Sequence, residues 1–136
     1  MLNPDTQQVF ELSDYFHQLG NAVGEYIQQN KNFLENDERN YLYDKQIELL
    51  QFAGRINLIG VTLVFDEVQD ALKEMNKITA DVQKTIKKVL TVQQAIDIAT
   101  SLVGIGTAII SRDPKLFAKN CGRATSLISA INNKKT

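Results

Sequence analysis

The chain has 136 residues, 43% of them hydrophobic and 23% charged, with 15 Lys and Arg against 16 Asp and Glu for a formal net charge of -1. That balance argues against wholesale disorder and against nucleic acid as a partner, since a dedicated nucleic-acid binder carries a basic excess. The single cysteine, Cys121, excludes an internal disulfide and a cysteine-based zinc site and fits a reducing, cytoplasmic setting.

The opening residues carry acid where a signal peptide needs base and lack its apolar run, so no secretion signal is read. Pro4 and Pro114 each follow a good N-cap residue, Asn3 and Asp113, and proline at the first helical position is a start signal. From Val9 the apolar residues Leu12, Phe16, Leu19, Val23, Tyr26 and Ile27 step by three and four, one face of a helix over 4–30. After the polar break Asn30-Lys31-Asn32, Asn36 with Asp37 and Glu38 marks a second start. The helix expected over 37–58 follows Leu42, Gln46, Leu49, Ala53 and Ile56. It is widened by Tyr43, Ile47 and Leu50, and two apolar faces imply a central place in the fold.

The stretch 56–65, INLIGVTLVF, is rich in β-branched residues and broken by Gly60. A strand there would have no second strand to pair with. A kinked or broken helix is the better reading, with the irregularity at Gly54 or Gly60. From Phe65 the series Val68, Leu72, Met75, Thr79, Val82, Ile86 and Val89 keeps a coiled-coil-like rhythm, giving a helix over 61–90. Thr91 and Gln94 form a capping-box pattern with Leu90 placed to staple against Ala95, so a further helix over 92–111 either begins there or continues the previous one. Asp113-Pro114 opens the last helix, over 114–132. With no repeat or low-complexity linker, residues 1–136 read as a single all-α domain, an antiparallel bundle of four to five long amphipathic helices.

Chemistry is thinly marked. His17, the only histidine, lies three residues after Asp14, and a dinuclear carboxylate bundle needs that pairing from two helices. Asp66, Glu67, Asp70 and Glu74 are interleaved with Lys73 and Lys77 and read as a solvated face. Cys121 falls on an apolar face, as a small core thiol does. Gly104-Ile105-Gly106 lacks the rest of a phosphate loop. Thr100, Gly104 and Ala108, like Gly20 and Gly24, recur at spacing four and suit close helix crossings. No catalytic, cofactor or metal constellation is found, and the chain is expected to be non-enzymatic.

Two surfaces are candidates for function. The heptad residues Phe65, Val68, Leu72, Met75, Val82 and Ile86 suit a partner helix, which favours protein–protein association including a homo-oligomer. The alternative is membrane docking by the hairpin 98–131, whose first arm, Ile98 to Ser111, is uncharged and whose second arm carries a basic edge of Lys115, Lys119 and Arg123. Asp97 and Arg112 cut the uncharged run too short to span a bilayer. The near-zero total is itself a cancellation. Residues 1–60 hold nine acids and four bases, a charge of -5, and residues 61–136 hold seven acids and eleven bases, a charge of +4. Acidic first helices lying beside basic last ones would attract within the chain, and head-to-tail or paired subunits could use the same complementarity between chains.

Overall fold

A computed structural model describes residues 6–59, 68–88 and 90–133. Its helices are α1 (Thr6–Asn30), α2 (Asn36–Ile59), α3 (Val68–Thr85), α4 (Val92–Ile110) and α5 (Pro114–Asn132), and no strand occurs among the described residues. The all-α bundle is as expected from periodicity. Gly60 and the rest of 60–67 lie outside the described residues, so the strand alternative is tested only at 56–59, which are helical. Gly54 does not interrupt α2.

Local chemistry sets the later helix ends. Thr91 has extended backbone (φ -68°, ψ 155°), its hydroxyl accepts from the Gln94 N–H at 3.1 Å, and the Gln94 side-chain oxygen accepts from the Thr91 N–H at 2.9 Å. A residue held in that conformation cannot continue a helix, so α3 and α4 are two helices rather than one. Leu90 and Ala95 are both buried, as a hydrophobic staple requires. α3 itself stops at Thr85, five residues short of the expected end, and Lys88 N–H closes a turn on the Thr85 carbonyl at 3.0 Å. At the next junction Asp113 caps α5 by accepting from Leu116 N–H at 3.1 Å, with Pro114 leading the first turn. Arg112 sits there at φ 58°, while its N–H reaches the Ile109 carbonyl and the Asp113 N–H reaches the Ala108 carbonyl. That is a Schellman closure with arginine at the left-handed position glycine usually takes, a cost of about 1–2 kcal/mol.

The helices close a ring in the order α1, α2, α4, α5, α3, with α1 also touching α4 across the middle. Small residues permit the close crossings. A Cβ added to Gly20 would meet Leu50 and one on Gly24 would meet Gln46, both on α2. Gly106 lies against the Phe52 ring of α2, and Gly104 against Asn120 of α5. The α1–α2 pairings Ser13 with Ala53, Gly20 with Leu50, and Gly24 with Gln46 run down one helix as they run up the other, so this hairpin is antiparallel. The small-residue series therefore serves packing within the bundle.

The core is a single apolar cluster fed by all five helices. α4 is its most deeply buried member: Ile98, Ala99, Leu102, Ile105, Ala108 and Ile109 are essentially inaccessible. The central position expected for α2 is not found. It packs on α1 and α4 through Leu42, Leu49, Phe52, Ala53 and Ile56, and its second apolar flank, Tyr43 and Ile47, faces out. Phe52 meets Phe16 of α1 edge-on, with centroids 6.0 Å apart. Two buried hydroxyls behave differently. Ser13 donates to the Ala53 carbonyl at 2.8 Å, whereas Thr79 in α3 has no hydrogen-bond partner among the described residues.

Candidate functional site

Four of the six heptad residues have described side chains, and none of the four is exposed. Leu72, Met75, Val82 and Ile86 are buried in the chain's own core, together with Ile78. α3 spends this stripe on α1 and α5, the two helices it packs against. Phe65 lies outside the described residues, and Val68 is the first residue of α3. The apolar rhythm was thus a true sign of packing, satisfied inside one chain.

The hairpin 98–131 divides by side. Its apolar residues are committed to the core: α4 is long and apolar enough to cross a membrane, yet half of that stretch is buried in the bundle. On α5, Cys121, Ala124 and Ile128 point inward, and Phe117, Leu127 and Ile131 are partly covered. Lys115, Lys119 and Arg123 are all exposed, as their spacing requires. What remains available from this hairpin is its basic edge.

Asp14 and His17 are exposed on α1, and the Asp14 carboxylate accepts from Gln18 Nε2 at 2.6 Å. Among the described residues no group of three or more His, Cys, Asp or Glu side chains gathers in a way that could hold a metal. Cys121 is 4% exposed. Burial pushes its thiol up from 9.0 to about 12, with the Glu74 charge adding in the same direction. A thiol held in that state is a poor nucleophile at neutral pH.

Among the described residues no ion pair joins the acidic front half to the basic rear half. The ion pair among the described residues joins Lys45 to Glu48 at 3.1 Å, within α2. The acidic first helices do lie beside rear-half helices, α1 on α3 and α2 on α4, but α5 with its basic edge is not packed on either of them.

A surface that periodicity did not single out lies on the α1–α2 hairpin. The large hydrophobic side chains standing exposed among the described residues are Phe10, Phe33, Tyr41, Tyr43 and Ile47, all in this hairpin. Phe33 in the connection is 80% exposed and Ile47 51%, unusual values for residues of this size. Tyr43 and Ile47 stand one turn apart on α2. The Tyr43 hydroxyl accepts from Gln28 Nε2 of α1 at 3.5 Å, so this flank borders the shallow groove between the two helices. Tyr41 lies on the other flank, its hydroxyl 2.7 Å from that of Thr100 and its ring beneath the Lys45 ammonium at 4.9 Å. Phe10 was legible, since it falls off the three-four series of α1. Tyr43 and Ile47 were read as core because they extend an apolar face that, in the bundle, has no helix opposite it.

Comparison with protein-family models, with curated proteins and with solved structures finds no match to this chain.

Proposed function

We propose that this chain is a non-enzymatic helical-bundle protein that works by protein–protein association, including association with copies of itself, through the outer face of the α1–α2 hairpin. The observation that carries the reading is that, among the described residues, the exposed large hydrophobics all fall in this one hairpin. A phenylalanine exposed as far as Phe33 forgoes most of the about 1.5–3 kcal/mol that full burial would return, and apolar side chains gathered on one surface mark an interaction site. The rigid α1–α2 crossing, with Gly20 and Gly24 against α2, holds that face in a fixed form.

Sedimentation velocity over a concentration series into the high micromolar range tests this. The weight-average mass should rise with concentration for the native chain and stay monomeric for the surface variant Phe33→Ser/Ile47→Asp. A native chain that remains monomeric throughout refutes the self-association, and a variant that assembles as the native chain does removes the assigned face.

A further inference from the structure

We infer that the self-association proposed above pairs unlike faces, with the outer stripe of α1 in one copy docking on the outer face of α5 in another. The inference rests on that reading and specifies its partner surface. α1 carries Glu11, Asp14 and Glu25 and has no Lys or Arg, while α5 carries Lys115, Lys119 and Arg123 and has no Asp or Glu. All six side chains are exposed, and the two helices do not pack on one another within the chain. Complementary single-sign helices that cannot meet inside one molecule can meet between two.

Their placement fits a helix-on-helix contact. At 3.6 residues per turn the three acids of α1 fall within an arc of about 60° and the three bases of α5 within about 80°. Lys115 to Arg123 spans about 12 Å and Glu11 to Glu25 about 21 Å at the helical rise, so the basic stripe fits within the length of the acidic one. The surfaces also differ in relief. Between its bases α5 shows Ala118, Gly122 and Ser126, all exposed, and a Cβ on Gly122 would meet nothing within 4 Å. α1 brings the protruding ring of Phe10, 56% exposed, beside its acids. Bulk and negative charge on one helix thus face flatness and positive charge on the other. Because each copy offers both faces, the contact either repeats head to tail, in a ring or an open chain, or is made twice in a two-fold pair across α3, which lies between α1 and α5.

Charge reversal with complementation tests it. One variant carries Lys115→Glu, Lys119→Glu and Arg123→Glu, and the other carries Glu11→Lys, Asp14→Lys and Glu25→Lys. Circular dichroism and Tm are checked first, since every substituted position is exposed. Light scattering after size exclusion should show the native chain forming a dimer or larger species that dissociate at high salt. Each variant alone should associate at least about 100-fold more weakly, because like charges then face each other. An equimolar mixture of the two should reassemble, since the native α1 of one variant meets the native α5 of the other. If both variants associate like the native chain while Phe33→Ser/Ile47→Asp does not, the charged contact is refuted and the broader reading stands. A mixture that stays monomeric refutes the pairing of α1 with α5. Retained self-association of the α5 variant, with loss only of binding to anionic phosphatidylserine vesicles, would assign the basic edge to a lipid surface and overturn the inference.

Discussion

Replacing Gly106 by alanine tests the close crossing of α4 over α2. An added Cβ there would lie against Phe52 Cδ2, with Cε2 at 2.6 Å and Cγ at 2.9 Å. Carbon atoms pack at about 3.5–4.0 Å, so the ring must retreat by roughly 1 Å. Phe52 is buried and meets Phe16 edge-on, which leaves it little room. Overpacking of this kind costs about 1–3 kcal/mol, and alanine returns about 0.8–1 kcal/mol of helix propensity, for a net destabilisation centred near about 1 kcal/mol. At about 2.1 cal/mol/K of unfolding entropy per residue, each kcal/mol moves the Tm of a chain this long by about 3.5 °C. The control is Gly54→Ala in α2, where an added Cβ meets nothing within 4 Å. That change should gain the propensity alone and raise Tm by about 3 °C. The assay is differential scanning calorimetry of the two variants, of Phe52→Leu, and of Phe52→Leu/Gly106→Ala. Gly106→Ala should fall below the native Tm, Gly54→Ala should rise above it, and the double variant should lose less than the sum of its parts. If Gly106→Ala stabilises as much as Gly54→Ala, the close approach of α4 to α2 is not as described.

Two further predictions concern buried polar atoms. Thr79→Val removes a buried hydroxyl without a partner among the described residues while keeping the side chain's shape. It should stabilise by about 1 kcal/mol, read as a Tm increase of about 3–4 °C, and a decrease would mean the hydroxyl is satisfied. The Cys121 thiol, held up to about 12 against an ordinary 9.0, keeps its proton in the folded chain after the unfolded chain has lost it. Stability from this group is therefore intact below about pH 9 and declines as pH rises from there toward about 12. Tyr26, also raised by burial, acts in the same direction. The measurement is accordingly the difference in denaturant midpoint between the native chain and Cys121→Ala over that range. The gap should narrow with rising pH, and a constant gap would place the thiol in water.

Much of the architecture was legible because it is written in local chemistry. The Thr91 capping box and the Asp113-Pro114 start depend on two or three adjacent residues, and both form as read. Periodicity located α1, α4 and α5 for the same reason. It is a poorer guide to where α3 ends, because the apolar rhythm continues in sequence through Ile86 and Val89 while the helix stops at Thr85. The surface was the least legible part. Whether the widened apolar side of α2 is core or exterior depends on which helices stand around it, and that is a property of the ring rather than of α2. Lys115, Lys119 and Arg123 are exposed on α5, and their spacing of four places them along one edge whatever the ring order. The separation of that edge from the acids of α1 does require the ring order.

α3 touches neither of the helices that precede and follow it in the chain; its neighbours are α1 and α5, each one helix removed. The two hairpins, α1–α2 and α4–α5, can each form by closing a short loop, and they meet through α2 and α4. Ordering α3 is a different matter, since every contact that offsets its lost chain entropy requires a loop longer than a whole helix to be closed first. By this reasoning the bundle is two locally assembled halves with a seam between α1 and α5, and α3 is the segment that fills that seam after its walls exist. The buried stripe of Leu72, Met75, Val82 and Ile86 is then less a surface for another molecule than the part of the chain on which closure of the fold depends.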